Sequence, residues 1–317
     1  MKIPVAFITD KNFVMQTGVA IYSLFINKKP ETIYDVFIIM AECDEEAERE
    51  IRKVENEQIG IHIIRVSLDM YRDIKQMSHI PISCLLKFNL CDYITEYDKI
   101  IYLDGDIYVR GDLTELYEYD LQDNYLAGVP SLDMTFDDRK LINAGIILFD
   151  CKKMRDSHMS DILIAKRREL GDRGSMDQQT FNMVMSDRMG FLSYKYNCVA
   201  NKLLGTEKKN FPVQKVNALY GTQFKNNKEL VQNAIIIHYA TGGKPWKYSY
   251  IVCADEWYKC FLKSPYGNIK LSRQSYVQAH LAGIKRNLKE GGLKALYRRL
   301  IWYIKNYSGK NEHNSWG

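Results

Sequence analysis

The stretch from Lys99 to Arg110 limits the choice of fold more than any other part of the chain. It begins as a short apolar run, Ile-Ile-Tyr-Leu, which is typical of a buried strand in an α/β sheet. The run ends abruptly in Asp104, Gly105 and Asp106. Side chains two apart in an extended chain point to the same side, and the glycine permits close approach of the backbone. We therefore expect both carboxylates to converge at the carboxyl end of a strand, where ligands bind in open α/β sheets.

Two carboxylates this close repel each other unless a cation lies between them. Hard oxygen ligands suit Mg²⁺ or Mn²⁺, and such an ion is expected to hold a phosphate. An Asp-x-Asp pair on its own is also common as a turn former or a helix cap. The metal hypothesis therefore depends on which other residues accompany the pair.

Strand and helix patterns alternate around this stretch, which indicates a mostly parallel sheet with helices on both faces. Strands are predicted at residues 5–9, 35–40, 61–66, 99–103, 126–129, 144–149 and 234–240. Helices are predicted at residues 16–27, 44–58, 85–93, 113–117, 152–170 and 180–185. Residues 133–140 and 202–228 are predicted to be polar loops.

Composition narrows the class of protein. The 317 residues suffice for one large α/β domain with an appendage, and 46% apolar and 26% charged residues are ordinary for a globular chain. A net charge of +5 does not by itself indicate nucleic acid, and we expect no nucleic-acid partner. Seven scattered cysteines without a C-x-x-C pair argue against a disulfide framework or a zinc site. Without a signal core or a membrane-spanning run, the protein is expected to be cytoplasmic, either soluble or peripheral to a membrane.

His238 ends another apolar β-type run and is expected at the carboxyl end of a strand. A neutral imidazole is a good ligand for Mn²⁺ and a poor one for Mg²⁺, although a lone histidine there is more often structural. Gly242 and Gly243 allow backbone amides to approach a ligand closely, and Lys244 adds a cation. This combination suits a diphosphate, held by a metal on one side and by an ammonium and N–H groups on the other.

Four short motifs in this order resemble those of glycosyltransferase family 8, whose members include bacterial lipopolysaccharide galactosyltransferases and glucosyltransferases as well as glycogenin. The motifs are Asp104-Gly105-Asp106, Asn143-Ala144-Gly145, Asp177-Gln178 and His238 followed by Lys244-Pro245-Trp246. The resemblance runs from about residue 4 to residue 250. It implies a GT-A fold, Rossmann-like, in a catalytic domain of residues 1–250 with a C-terminal helical extension, 251–317. It also implies transfer of galactose or glucose from a UDP-sugar with retention of configuration.

The resemblance also implies roles for individual residues. Asp104, Asp106 and His238 would hold Mn²⁺, with Mg²⁺ as the alternative, against the diphosphate of UDP. The implied donor-binding residues are Thr9, Asp10, Asn12, Lys87, Asp104, Gly105, Asn143, Ala144, Gly243 and Lys244. Asp177 would bind sugar hydroxyls and Gln178 would lie beside the anomeric carbon.

Lys87 departs from the family pattern, which often has arginine in the helix before the metal strand. Lysine keeps the charge but loses the bidentate fork, so its contact with sugar or phosphate, and the donor preference, are expected to differ. Retention ordinarily requires a carboxylate nucleophile, whereas Gln178 is an amide and a poor nucleophile. Two mechanisms stay open, involvement of the neighbouring Asp177 and the favoured front-side attack within an ion pair.

From about residue 281 the sequence becomes a basic amphipathic helix, which is typical of segments that bind anionic lipid surfaces. The apolar face comprises Leu293, Leu296, Tyr297, Leu300, Ile301 and Ile304, with Lys294, Arg298, Arg299 and Lys305 around it. A helix packed on its own domain or a dimer contact are the alternatives. The membrane interpretation predicts a peripheral protein at the inner face of the cell membrane, acting on a saccharide acceptor that is lipid-linked.

Three other functions are alternatives to sugar transfer to a saccharide. A nucleotidyltransferase also uses paired aspartates with Mg²⁺, but it does not need His238 and usually has a Gly-rich basic loop after its first strand. A carbohydrate-binding module with a degenerate site would have lost metal residues, and all three are present. Glycogenin-like transfer to a protein acceptor is a further alternative, since the chain has 22 tyrosines.

Overall fold

The N-terminal part of the fold follows the predicted strand–helix alternation. The computed structural model describes residues 2–75, 80–136, 139–173, 175–205, 211–279 and 281–282. Its first elements are β1 (Lys2–Thr9), α1 (Val14–Asn27), β2 (Ile33–Ala41), α2 (Glu45–Arg52) and β3 (Ile59–Val66). β1 and β3 each pair in parallel with β2, whose residues are nearly all buried because helices cover both faces.

β4 (Lys99–Leu103) pairs in parallel with β1 and carries the predicted carboxylate pair at its carboxyl end. The predicted helix at residues 85–93 is mostly a 3₁₀-helix, Ile82–Asn89, which continues into α3 (Leu90–Tyr93). After β4 come a short β5 (Ile107–Val109) and α4 (Thr114–Tyr117).

β6 (Leu126–Phe136) and β7 (Arg139–Asp150) form an antiparallel hairpin. The predicted polar loop at residues 133–140 is therefore wrong, because both strands extend into it. Shifts of register in this ladder interrupt the alternation that would have indicated strands. β7 also pairs antiparallel with β4, and β8 (Met189–Phe191) pairs in parallel with β6. In the described residues the central sheet has seven strands in the order β3-β2-β1-β4-β7-β6-β8 and is mostly parallel, as predicted.

The helix predicted at residues 152–170 is two helices, α5 (Cys151–Asp156) and α6 (Met159–Leu170). The break lies at His158, whose φ of 52° is left-handed and cannot continue a right-handed helix. The next helix, α7 (Met176–Val184), begins four residues before its predicted start at residue 180. Its first turn therefore contains Asp177 and Gln178, and an acidic side chain is favourable at the positive end of the helix dipole.

The loop predicted at residues 202–228 is also wrong, because it contains helices. These are the end of α8 (Ala200–Leu204), α9 (Val213–Tyr220) and the start of α10 (Asn227–Gln232). Gly221 ends α9 with a φ of 66°, and the Asn226 side chain caps α10 by accepting a hydrogen bond from the Glu229 N–H. Each helix buries only one or two apolar side chains, so the sequence lacks a strong amphipathic pattern.

The strand predicted at residues 234–240 is confirmed as the shorter β9 (Ile236–His238). It pairs antiparallel with β5 in a separate two-stranded sheet, with Ile107 opposite His238. The backbone ladder continues as the Tyr239 N–H donates to the Asp106 carbonyl at 2.9 Å. This pairing brings the histidine beside the carboxylates although they are far apart in sequence.

α11 (Ala254–Lys263) packs on α1, and its Trp257 and Phe261 belong to the same hydrophobic core as β1. The proposed domain boundary at residue 250 stays a prediction. The basic amphipathic tail lies outside the described residues. None of the helices in the described ranges combines the length and apolar character needed to cross a bilayer.

Replacing Trp257 with alanine should destabilise the whole fold, because the indole is fully buried and stacks on Phe261 with ring centroids 5.6 Å apart. We expect a loss of about 3–5 kcal/mol in the free energy of unfolding, measured by chemical denaturation. Leu262→Ala on the same helix is the control, since Leu262 is 52% exposed and should change stability by only about 0.5 kcal/mol. Equal effects of both substitutions would contradict the packing of α11 in the core.

Candidate active site

A cavity of about 440 Å³ opens at the carboxyl ends of β1 and β4, beside the β6–β7 hairpin and the first turn of α7. Most of the residues that the motifs predict line it together. They are Thr9, Asp10, Lys87, Asp104, Gly105, Asp106, Asn143, Ala144, Asp177, Gln178, His238 and Lys244. A Cβ at Gly105 would lie 2.5 Å from Thr17 Oγ1, so only glycine lets the turn between the carboxylates pack against α1.

The Asp104 carboxylate has one oxygen held and the other directed at His238. Its Oδ1 accepts a hydrogen bond from the Tyr102 hydroxyl at 2.6 Å and lies 3.1 Å from the Lys87 ammonium. Its Oδ2 lies 3.6 Å from His238 Nε2. The held oxygen fixes the rotamer of the carboxylate, and the second oxygen remains directed at the imidazole.

The Asp106 carboxylate repeats this arrangement. Its Oδ2 accepts a hydrogen bond from Lys244 Nζ at 2.6 Å, while Oδ1 lies 3.2 Å from His238 Nε2. Burial would raise the pKa of Asp106, but the imidazole of His238, when protonated, and the Lys244 ammonium hold that pKa well below its usual range. The carboxylate is therefore ionised at neutral pH.

His238 is almost fully buried, and its Nδ1 lies 2.8 Å from the side-chain oxygen of Asn197. The three side chains offer one nitrogen and two oxygens, all within 4.8 Å of one another. A borderline nitrogen with two hard oxygens is a ligand set that divalent metal ions accept. The hydrogen bond on the other ring nitrogen is the support that metal-binding histidines generally have. The residues present thus fit a divalent cation.

Lys87 is buried where the family pattern has arginine, and it joins three parts of the site. Its ammonium lies 2.6 Å from Asp177 Oδ2, 3.1 Å from Asp104 Oδ1 and 3.1 Å from the Ala144 carbonyl. Burial alone would lower the pKa of Lys87, but Asp104 and Asp177 raise it well above its ordinary value. The ammonium is therefore charged, and its ion pairs hold the first turn of α7 against the end of β4.

Comparison with known protein families gives a match over most of the chain. A model of glycosyl transferase family 8 matches residues 4–249. The chain belongs to glycosyl transferase family 8.

Among curated relatives, glycosyltransferase GlyE of Streptococcus pneumoniae is 32% identical over 174 residues, which are 54% of this chain and 39% of GlyE. The lipopolysaccharide 1,2-glucosyltransferase of Escherichia coli K12 is 24% identical over 280 residues, 82% of this chain and 77% of that enzyme. The match to GlyD of the same Streptococcus spans 28% of that protein, so the chain corresponds to well under half of these streptococcal relatives.

Solved structures support the GT-A fold. The galactosyltransferase LgtC, solved with donor and acceptor sugar analogues, superposes with a TM-score of 0.69 at 21% identity, covering 83% of this chain and 96% of LgtC. The structure of GlyE superposes with a TM-score of 0.62 at 26% identity, covering 83% of this chain and 61% of GlyE. At the identity of LgtC the likeness shows the fold alone.

Two residues of the family-based donor set lie outside the cavity lining. Asn12 is exposed, and its backbone N–H donates to Asp10 Oδ1 at 2.8 Å. Gly243 packs close to Ile251 and Asn201, so that a Cβ there would lie 2.6 Å from Ile251 Cδ1. Their assignment to donor binding stays a prediction for this member of family 8.

Three residues that shape the site were given no role from the sequence alone. Tyr102 lies two positions before Asp104. Because side chains alternate along a strand, the sequence already indicates that both point to the same face. Gly145 belongs to a recognised motif, and its missing side chain leaves room for the His238 imidazole and the Asp104 carboxylate. Asn197 gave no signal, because only tertiary pairing places it beside His238.

Gly145→Ala should disrupt the candidate metal site while leaving the fold intact. The added Cβ would lie 2.2 Å from His238 Cε1 and 2.8 Å from Asp104 Oδ2, so both ligands must move. We expect at least a tenfold loss of Mn²⁺ affinity, on the order that a misplaced ligand causes, measured by titration calorimetry. In Gly111→Ala the nearest atom is Ile235 Cγ2 at an ordinary 3.7 Å, so affinity should be unchanged. Wild-type affinity in Gly145→Ala would remove this account of the site.

Proposed function

We propose that the chain is a retaining hexosyltransferase that moves galactose or glucose from a UDP-sugar to a saccharide acceptor. The observation that carries this proposal is the convergence of Asp104, Asp106 and His238, with one oxygen of each carboxylate held near an ammonium and the other directed at the imidazole. Membership of family 8 and the sugar-transferring relatives support the same reaction class.

The charges of the cavity repel an anionic substrate unless a divalent ion is bound. Among the described residues, four carboxylates line the cavity, those of Asp10, Asp104, Asp106 and Asp177. The ammonium groups of Lys87 and Lys244 balance two of these four charges. With a neutral imidazole the set carries two net negative charges, which a divalent ion would neutralise. Neutralisation removes the repulsion that a nucleoside diphosphate would otherwise meet.

We assign the ion as Mn²⁺ because one of the three ligands is an imidazole nitrogen. When bound, the ion would supply Lewis-acid stabilisation of the charge that develops on the leaving diphosphate. Lys244 lines the cavity from the same side, where its ammonium can stabilise that charge as well. Thr9 and Asp10, at the end of β1, lie where the nucleoside is proposed to bind.

The side chains near the proposed sugar position favour front-side attack over a double displacement. Gln178 Oε1 already accepts hydrogen bonds from Asn143 Nδ2 at 2.9 Å and from the Ala144 N–H at 3.2 Å. Asp177 is almost fully buried and paired with Lys87. A carboxylate neutralised by an ammonium is a weak nucleophile, as is an amide. We therefore propose that the acceptor hydroxyl attacks from the face that the diphosphate leaves, and that its proton passes to a departing phosphate oxygen.

The acceptor is proposed to be a saccharide of a surface glycan, by likeness to the lipopolysaccharide glucosyltransferase. Lipid linkage of this acceptor, binding of the tail to an anionic membrane and a cytoplasmic location stay predictions. The tail on which the membrane prediction depends begins at about residue 281, and its residues 283–317 lie outside the described part of the chain.

Incubation with UDP-galactose and UDP-glucose should release UDP only when Mn²⁺ is present, because the cavity needs the cation to hold the diphosphate. Release is measured with a coupled UDP assay, with EDTA as the metal-removal arm. The anomeric configuration of the product, read by NMR, tests retention. Failure to release UDP from any UDP-sugar would overturn the proposal. A mass increase of the protein itself by hexose units would instead favour the glycogenin-like alternative.

Asp106→Asn and His238→Ala should each lower UDP release by at least about 100-fold, because each removes one of the proposed metal ligands. Thermal unfolding should report a folded protein in both. Asp123→Asn is the matched control, since Asp123 is exposed and lies outside the cavity lining, and it should retain wild-type turnover. Wild-type turnover in either ligand variant would contradict the metal assignment.

A further inference from the structure

We propose that Asn197 is a positioning residue that, with Asn143, forms an amide relay from Gln178 to His238 and fixes the tautomer of the histidine. The relay is defined as the side chains of Gln178, Asn143, Asn197 and His238, joined by hydrogen bonds of 2.9, 2.9 and 2.8 Å. Its consequence for metal binding rests on the proposed function, whereas the tautomer itself does not.

Two main-chain donors orient the first half of the relay. The Gly145 N–H donates to Asn143 Oδ1 at 3.1 Å, so the Asn143 oxygen must face this amide. The Ala144 N–H donates to Gln178 Oε1 at 3.2 Å in the same way. A backbone N–H cannot accept, so neither side-chain amide can be flipped without placing donor against donor. Asn143 Nδ2 is thereby committed to Gln178 Oε1.

The orientation passes from Asn143 to Asn197 and then to the imidazole. Because Asn143 Oδ1 only accepts, the Asn197 atom 2.9 Å away must be its Nδ2. Asn197 Oδ1 then faces His238 Nδ1 and must accept a hydrogen bond from it. His238 therefore carries a proton on Nδ1, and in the neutral ring the bare nitrogen is Nε2, which faces Asp104 and Asp106.

The backbone holds Asn197 in this place. Residues 197 and 198 run beside β9, where the Cys198 N–H donates to the Ile236 carbonyl at 3.0 Å and the His238 N–H donates to the Cys198 carbonyl at 2.9 Å. Asn197 and His238 are each only 3% exposed, so water cannot easily replace the bond between them. Asn197 does not line the cavity, which separates its role from those of the donor-binding residues.

The fixed tautomer explains how a neutral histidine can contribute to a cation site. An unprotonated nitrogen beside two carboxylates is repelled by them unless a cation lies among the three groups. The relay favours this arrangement in the neutral ring, because Asn197 Oδ1 accepts the hydrogen bond of Nδ1 on the side away from the carboxylates. It also connects His238 to Gln178. A change in the orientation of Gln178 on sugar binding would alter the hydrogen bonds of Asn143 and Asn197 and, through them, that of His238.

The tautomer can be measured in the metal-free protein by long-range ¹H–¹⁵N NMR of labelled histidine at pH 8.5, with the His238 signal assigned by its loss in His238→Ala. We expect a protonated Nδ1 and a bare Nε2 in the wild type. Asn197→Leu removes both hydrogen bonds and should move the proton towards Nε2. Asn197→Asp keeps an acceptor for Nδ1 and should retain the Nδ1 proton, which also covers failure of the leucine variant to fold.

The control is Asn201→Leu, because Asn201 is similarly buried but bonds to Thr241 and to the Val252 N–H. It should leave the tautomer unchanged. Mn²⁺ titration followed by electron paramagnetic resonance should give an affinity about 10–100-fold weaker in Asn197→Leu, the range expected for loss of such support, and a smaller change in the control.

A bare Nδ1 in the wild type, or an unchanged tautomer in Asn197→Leu, would overturn the relay. These outcomes are separable from failure of the proposed function. An intact tautomer effect without any Mn²⁺ binding or UDP release would reject the metal-dependent transferase and keep the relay. Metal-dependent UDP release with no response of the tautomer to Asn197→Leu would reject the relay alone.

Discussion

The structure of the site depends on the pairing of each motif carboxylate with a lysine ammonium. Lys87 lies beside Asp104 and Lys244 binds Asp106, so repulsion between the two acids is offset before any cation arrives. Each lysine engages one oxygen and leaves the other directed at His238. The carboxylates are therefore preorganised, and the proposed divalent ion would bind without rearranging them.

These carboxylate–lysine pairs lie where the central sheet meets the two-stranded sheet of β5 and β9. The central sheet delivers Asp104 at the end of β4, whereas Asp106 begins the strand that pairs with β9 and so lies against His238. Gly105 and Gly145 leave space where the sheets meet, because a side chain at Gly105 would meet α1 and one at Gly145 would meet the imidazole. A substitution that only adds a methyl group at Gly145 would displace the side chains of His238 and Asp104 together.

The sequence reveals the parts of this arrangement that lie at strand ends. Asp104, Asp106 and His238 each terminate or follow an apolar run, and the rule that ligands bind at the carboxyl edge predicts the place of Asp104. The meeting of Asp106 with His238 depends on the antiparallel pairing of β5 with β9, which the sequence did not reveal. The helical loop of residues 202–228 was missed, since its helices bury little apolar surface. Asn197 was missed for a different reason. Its function depends on a hydrogen bond across 41 positions of the chain, and nothing in its local sequence encodes that partner.

Lys87 shows how a departure from a family pattern can be understood once the contacts are known. From the resemblance, Lys87 was expected to contact the donor. An ammonium has three N–H groups, and three acceptors surround this one, namely two carboxylates and the Ala144 carbonyl. A guanidinium has five donors and could hold such partners while still reaching a sugar or a phosphate. With lysine, the ammonium is engaged by these acceptors of the protein, so the residue holds the site together. Lys87 also lines the cavity, and its contact with the donor stays a prediction.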